Sequence, residues 1–357
     1  MNLEKYFKPE VLRAQGYHLT KRAATIKLDQ NENPFGFPDF LKEKFWQRAA
    51  QLDWERYPDF QMERLTERIA EYVQLPPQNV LVGSGSNSLI QALLMVALAP
   101  GDRFIVPEPT FTLYGLFGKM LGAEVVSCRL HAEDFSLPMN EMLAACDSPR
   151  AKLLVLCTPN NPTSNSFPLG QLRELLHAFP GLVVIDEAYQ EFSSQDAKPL
   201  LRKFENLIIL RTFSKALALA GLRVGYMMAA PEICDEVRKA RLPYSVNLFS
   251  ETAVMVALDE IAYLKEQVRE IMTQRESLLP ALRRFASLRV YPSDANFILV
   301  RARNGAALFQ HLLRDGILVR DVSSYPGLEN CLRISVGTKE QNQRLLESMS
   351  VFEKVIH

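Results

Sequence analysis

The stretch Leu207–Ile208–Ile209–Leu210–Arg211–Thr212–Phe213–Ser214–Lys215, continuing Ala216–Leu217–Ala218–Leu219–Ala220–Gly221–Leu222–Arg223, decides the reading of this chain. Its apolar opening predicts a buried strand ending in a polar cluster of Thr212, Ser214 and Lys215, with Arg223 close behind. An ammonium group is costly to take out of water, so a lysine at the end of a buried strand needs a purpose. Two readings stand at this point. Either the Ser-Lys pair lies on an ordinary solvated loop, or Lys215 forms a Schiff base to pyridoxal phosphate while Thr212, Ser214 and Arg223 hold the phosphate.

Working outward, the same pattern of apolar run and polar end recurs. Val80–Leu81–Val82 predicts a strand that turns through Gly83–Ser84–Gly85–Ser86–Asn87 into a helix at Leu89 to Leu98. Phe104 to Val106 ends at Pro107, and Leu153 to Leu156 ends in Cys157–Thr158–Pro159–Asn160–Asn161–Pro162. Leu182 to Ile185 ends in Asp186–Glu187–Ala188–Tyr189, and Gly225 to Ala229 is one more strand. With an amphipathic helix at Met62 to Tyr72, this alternation predicts an α/β fold with a mostly parallel sheet covered on both faces. In such sheets ligands bind beyond the carboxyl ends of the strands, where all these polar residues fall.

Residues from Ser250 to about Arg284 read as a long helix, interrupted near Pro280, that leads into a smaller α/β unit. That unit has strands at Phe297 to Val300, Ile317 to Val319 and Leu332 to Val336 and a helix at Ala306 to Arg314. The expected division is an N-terminal arm at 1–30 that packs against the smaller unit, a large ligand-binding domain at 31–248 and a small C-terminal domain at 249–357.

Composition narrows the class. The 357 residues carry 41 acidic and 41 basic side chains, so no basic excess points to nucleic acid. No apolar run is long enough to span a bilayer, and Met1–Asn2–Leu3–Glu4–Lys5–Tyr6 lacks the basic-then-apolar pattern of a signal peptide. The five cysteines are scattered, without a C-x-x-C pair. They read as reduced residues of a cytoplasmic enzyme. The five histidines show no metal-ligand spacing, so no metal site is expected.

Pyridoxal chemistry asks four things of a protein: an amine for the aldehyde, a carboxylate for the pyridine nitrogen, donors for the 3′-oxygen and a cradle for the phosphate. Asp186 is the candidate carboxylate, although a helix N-cap is the plain alternative. Tyr189 is either a 3′-oxygen donor or an ordinary half-buried tyrosine. Asn161 is either a donor on a rigid loop or part of a simple Asn-Pro turn. The small residues of 83–87 suit a phosphate at a helix N-terminus, or merely a tight turn. Each residue is ambiguous alone; their order along one set of strand ends is not.

In that order and context the chain strongly resembles the fold-type I pyridoxal-phosphate aminotransferases, and among them the histidinol-phosphate aminotransferases. The resemblance runs over nearly the whole chain. It rests most specifically on Asp29–Gln30–Asn31–Glu32–Asn33–Pro34–Phe35–Gly36, on Arg56–Tyr57–Pro58–Asp59, on Thr212–Phe213–Ser214–Lys215 with Ala220–Gly221–Leu222–Arg223–Val224–Gly225, and on Leu242–Pro243–Tyr244–Ser245–Val246–Asn247. It also rests on Val319–Arg320–Asp321 with the run from Pro326 through Arg333 to Thr338.

The resemblance implies pyridoxal 5′-phosphate bound through Lys215, with Asp186 at the pyridine nitrogen and Asn161 and Tyr189 at the 3′-oxygen. Ser84, Gly85, Ser86, Thr212, Ser214 and Arg223 would surround the phosphate, and Phe111 would face the ring. It implies a homodimer with shared active sites, in which Tyr57 reaches the neighbour's phosphate. Arg333 would bind a substrate carboxylate, Arg320 and Tyr17 the phosphate of histidinol phosphate, and Asn33 would lie at the substrate site. The implied reaction moves the amino group between L-histidinol phosphate and 2-oxoglutarate, giving imidazole-acetol phosphate and glutamate in histidine biosynthesis.

Three departures stand out: Phe111 where relatives often carry tyrosine, Ser164 where the Asn-Pro loop usually ends in glycine, and Ser88 where an acidic residue is common. Rivals of the same fold are an aromatic-amino-acid aminotransferase and a threonine-phosphate decarboxylase. A non-enzymatic regulator is disfavoured by the retained Lys215 and Asp186, and by the expectation that no room is left for a DNA-binding domain.

Overall fold

The computed structural model describes residues 1–16 and 22–356. Two sheets organise the chain. The larger is built from β2 (Val80–Gly83), β3 (Arg103–Glu108), β4 (Glu124–Arg129), β5 (Ala151–Cys157), β6 (Leu182–Asp186), β7 (Leu207–Thr212) and β8 (Gly225–Met228), with β1 (Ile26–Leu28) lying elsewhere. Their order is β2-β8-β7-β6-β5-β3-β4. Only β8 runs against the others.

The strands β5, β6 and β7 are apolar at nearly every position because both faces are covered. Side chains alternate across the sheet. Ile185, Leu207 and Ile209 join one core cluster, whereas Val184, Ile208 and Leu210 join a second on the opposite face.

Register places the functional ends together. Cys157 lies opposite Asp186, and Gly225 pairs with both Gly83 and Thr212. The carboxyl ends of β2, β5, β6 and β7 therefore meet the start of β8 along one edge, which brings Arg223 to the same edge despite the reversed strand. Close approach there demands glycine at 225: a Cβ would stand 2.4 Å from the Ser86 amide nitrogen.

The smaller sheet adds β9 (Leu288–Val290), β10 (Phe297–Ala302), β11 (Ile317–Asp321) and β12 (Cys331–Ser335), in the order β1-β11-β12-β10-β9. One apolar cluster runs from the larger sheet through to this one.

Several features differ from the sequence reading, the short β9 among them. The arm contains a strand, β1, which pairs in parallel with β11. The β4 strand extends the large sheet past β3. The first sheet's glycine turn leads into a helix that starts at Gly85, not Leu89. The long helix is two, Leu248–Asp259 and Ile261–Leu282, broken at Glu260 (φ −114°, ψ 30°) rather than at Pro280. Pro280 sits in the last turn on the exposed face, where water can satisfy the carbonyl that its missing N–H leaves free.

Candidate active site

The two central strands end by the same device. Asp186 closes β6 by accepting the Ala188 amide at Oδ1 (3.1 Å). Thr212 closes β7 by accepting the Ser214 amide at Oγ1 (3.1 Å). A polar side chain that captures the N–H two residues on offers the backbone an alternative to the ladder, so each strand turns at the edge and presents its next residues to one place. That place is a cavity of about 430 Å³.

Among the residues expected from sequence, Ser86, Phe111, Asn161, Asp186, Tyr189, Thr212, Ser214, Lys215, Arg223, Arg320 and Arg333 line it. Gly85 lies beside it, and a Cβ there would sit 2.6 Å from Arg223 Nη2 with the backbone at φ +74°. Ser84 is the N-cap of the helix Gly85–Ala97, and its side chain makes no capping bond. Ser88 returns its hydroxyl to Gly85 O (3.0 Å).

Asn33 does not line the cavity. Its Nδ2 donates to Ala216 O (2.9 Å) and its Oδ1 accepts from Phe35 N, so it ties the 30s segment to the residue after Lys215. Tyr57 is 80% exposed and stacks on Tyr244 with centroids 4.8 Å apart. Tyr17 lies outside the described residues.

Asp186 is not a helix cap. The chain beyond it forms a single 3-10 turn, Gln190–Phe192, whose N-cap is Tyr189. The second oxygen of Asp186, Oδ2, accepts from the Tyr114 hydroxyl (2.6 Å). Burial pushes this carboxyl up to about 6, against the pull of both donors.

Lys215 Nζ donates to Gln30 O (2.7 Å). Burial brings its ammonium down to about 7, and the charge of Arg333, then those of Arg223 and Lys27, push the same way against Glu32. The site thus holds an acid and an amine that both titrate near neutrality, which suits proton transfer.

Tyr189, 4% exposed, accepts from Asn31 Nδ2 (3.1 Å), and burial raises its hydroxyl well above the usual range. It therefore keeps its proton to donate. Asn161 Oδ1 accepts from Arg333 Nη1 (2.6 Å), which leaves its Nδ2 for a ligand. Arg333 Nη2 donates to Asp29 O (2.6 Å).

At the other end, Arg223 Nη1 donates to Ser214 Oγ (3.2 Å), and Thr212 Oγ1 donates to the same oxygen (2.9 Å). Together with the uncapped N-terminus of the helix Gly85–Ala97 they form an anion cradle. A carboxylate at one end, an anion cradle at the other and an amine in the same cavity match a phosphorylated pyridinium aldehyde.

Arg320 and Arg333 are direct cross-strand partners on β11 and β12, so both guanidinium groups rise from one face of the small sheet into the cavity. Like charges directly opposite are unfavourable until an anion lies between them. The neighbouring carboxylate of Asp321 does not neutralise them; it accepts from Ser323 N (2.9 Å).

Sequence reasoning passed over Tyr114 and Asn31. Tyr114 sits three residues after Phe111, across the turn that opens the helix Leu113–Met120, where its amide donates to Phe111 O (3.3 Å); their rings meet edge to face at 5.5 Å. Asn31 lay in plain view within the run 29–36. Among the described residues no group of three or more His, Cys, Asp or Glu is placed to hold a metal ion. No helix among them is long and apolar enough to cross a membrane.

Fold and site together define a pyridoxal-phosphate-type transferase architecture. Residues 23–349 match the family described as aminotransferase class I and II, and the chain belongs to that family. It is 37% identical to a histidinol-phosphate aminotransferase of Chlorobaculum tepidum, over 91% of this chain and 93% of that relative. In three dimensions it is similar to the histidinol-phosphate aminotransferase of Sinorhizobium meliloti in complex with pyridoxal-5′-phosphate, with TM-score 0.88 and 24% identity over 99% of this chain and 98% of that one. A threonine-phosphate decarboxylase of Porphyromonas gingivalis has the same fold, with TM-score 0.79 and 24% identity over 92% and 99% of the two chains. At that identity the fold alone is shared, so substrate must be read from the site.

Proposed function

We propose that this aminotransferase moves the amino group between L-histidinol phosphate and 2-oxoglutarate, using pyridoxal 5′-phosphate held in the cavity described above. The observation that carries this reading is the pair of opposed guanidinium groups, Arg320 and Arg333, in one cavity with Lys215 and Asp186. Histidinol phosphate brings a phosphate and no carboxylate, whereas glutamate brings two carboxylates. A double guanidinium site serves either anion.

When bound, pyridoxal phosphate supplies an electron sink that makes the Cα–H bond of an amino substrate acidic. Asp186 would keep the pyridine nitrogen protonated, and that positive charge would in turn relieve the burial cost of its carboxylate. Asn161 Nδ2 and the Tyr189 hydroxyl would donate to the 3′-oxygen. Ser84, Gly85, Ser86, Thr212, Ser214 and Arg223 would hold the phosphate, and Phe111 would cover a ring face. Lys215 would take the Cα proton as the neutral amine and return it on the cofactor side. Its depressed ammonium supports that role, since the amine is available near pH 7.

The arrangement we propose is a homodimer in which Tyr57 serves the neighbouring site. Its exposed stack with Tyr244, beside half-exposed Phe60, suits a surface that another subunit covers. The division into an arm at 1–30 and units at 31–248 and 249–357 follows the two sheets, with β1 as the part of the arm tied to the second. A cytoplasmic setting accords with five buried, unpaired cysteines.

The test is an amino-donor panel of histidinol phosphate, phenylalanine, tyrosine and threonine phosphate with 2-oxoglutarate as acceptor. Histidinol phosphate should give the highest kcat/KM. Preference for phenylalanine would make the chain an aromatic aminotransferase, and release of carbon dioxide from threonine phosphate would make it a decarboxylase.

A further inference from the structure

Asn160 precedes the ligand-facing Asn161 and is itself fully buried, at 0% exposure. Its amide is used at both ends. Oδ1 accepts from Thr110 Oγ1 (2.7 Å), and Nδ2 donates to Pro109 O (2.9 Å) and to Thr163 Oγ1 (2.7 Å). Thr163, also at 0% exposure, passes its proton on to Asn165 Oδ1 (2.6 Å). Pro109 and Thr110 belong to the loop after β3 that carries Phe111; Asn160 to Asn165 belong to the loop after β5 that carries Asn161. The two loops are not hydrogen-bonded through a strand ladder at these positions, since the β3–β5 pairing stops at Ile105 and Leu154. The buried Thr110–Asn160–Pro109 bonds take its place.

We infer that Thr110 and Asn160 are positioning residues, which lock the Phe111 ring and the Asn161 amide into one fixed relation across the cavity. The inference rests on the reading of this cavity as a pyridoxal-phosphate site. Thr110 does not line that cavity; it acts through its neighbour Phe111 and through Asn160. The coupling extends further, because Asn161 Oδ1 is the acceptor for Arg333 Nη1. One buried hydroxyl thus bears on the ring face, the 3′-oxygen donor and the orientation of the substrate-side guanidinium. Removing it leaves Asn160 Oδ1 buried without a donor, and the loop must shift to find one.

The experiment compares Thr110→Val, which keeps shape and loses the hydroxyl, with Thr110→Ser, which keeps the hydroxyl. Each protein is stripped of cofactor and titrated with pyridoxal phosphate. Three properties are then followed: the dissociation constant, the visible circular dichroism of the bound cofactor with its pH titration, and kcat and KM for histidinol phosphate. Thr110→Val should weaken cofactor binding and lower kcat by about tenfold each, the scale of a lost buried hydrogen bond. It should also shift the pH midpoint of the visible band, and Thr110→Ser should restore all three. A Thr110→Val protein that only melts earlier, with an unchanged dichroism titration and affinity, would reduce the network to a structural role and overturn the inference. If the unmutated protein takes up no pyridoxal phosphate, the cofactor reading itself has failed and the inference falls with it; that result is separate because it precedes any substitution.

Discussion

Replacing Asp186 by Asn should stabilise the cofactor-free protein while it slows the reaction by orders of magnitude. Asp186 is 3% exposed, and its carboxyl rises from an ordinary 3.8 to about 6 through burial. At about 1.36 kcal/mol per pH unit, the ionised carboxylate then costs the folded chain about 3 kcal/mol relative to the unfolded one. The sign follows from proton binding. The folded chain holds its proton more tightly than the unfolded chain, so stability falls as pH rises from about 4 to about 6, and the whole penalty stands above that window.

Asn carries no charge at any pH. It does introduce one mismatch, because Asp186 accepts at both oxygens, from Tyr114 and from Ala188, and an amide accepts at only one. The Tyr114 hydroxyl can turn to accept from the new NH2, so the loss is about 1 kcal/mol. The net expectation is a gain of about 2 kcal/mol near pH 8 and a loss of about 1 kcal/mol near pH 4. Urea unfolding of both cofactor-free proteins across that range measures it. A difference that stays flat with pH, or a variant that is the weaker protein near pH 8, would refute this account of Asp186. With pyridoxal phosphate added, the variant should bind and turn over orders of magnitude more slowly; a near wild-type rate would leave Asp186 only its turn with Ala188.

Other residues of the site carry expectations of their own. Borohydride in the presence of pyridoxal phosphate should fix the cofactor on Lys215, as peptide mapping would show, and an adduct on another lysine refutes the assignment. Because the folded ammonium lies near 7 against an ordinary 10.5, Lys215→Met should stabilise the cofactor-free protein most at and below about pH 7 and least above about pH 10. Arg333→Ala should lower kcat/KM about tenfold or more in both half-reactions, and Arg320→Ala should harm histidinol phosphate more than phenylalanine in single-turnover kinetics. Equal losses with the two donors would return Arg320 to a surface role. Tyr57→Phe should weaken cofactor retention about fivefold; a strictly monomeric active species in sedimentation would rule out the shared site.

The strand ends were legible because a buried parallel strand writes itself as an unbroken apolar run, and the first polar residue after it marks the edge where ligands bind. That rule marked Lys215, Asp186, Asn161 and the Thr212–Ser214–Arg223 group as candidates, each with a plain alternative, and their order along the strand ends and the family resemblance supplied their expected roles. What escaped was whatever depends on a contact between distant segments. Tyr114 reads as one more apolar helical residue until Asp186, 72 positions on, proves to hold its hydroxyl. The β1 strand has too few residues to show a period, and it exists because β11 offers an edge.

Asn33, which the resemblance put at the substrate site, does not line the cavity; its amide is spent on Ala216 O. Its service to the site is indirect, since it fixes the chain on either side of Lys215.

Ser164 shows how a departure from the family pattern can be turned to use. Serine stands here where the loop needs a glycine-like backbone, and it adopts φ +68°. A left-handed serine is strained, and it persists because its surroundings hold it. Its amide donates to Asn160 O (2.7 Å), its single hydroxyl proton lies between two acceptors, Thr163 O (2.6 Å) and Pro292 O (3.1 Å), and its carbonyl accepts from Asp294 N (2.8 Å). Glycine has no hydroxyl and could make neither contact. The second contact reaches Pro292, in the segment that leads into β10, so the substituted serine binds the Asn161 loop to the small sheet whose Arg333 grips the same asparagine. The serine thus adds a tie between the Asn161 loop and the small sheet that a glycine at this position could not make.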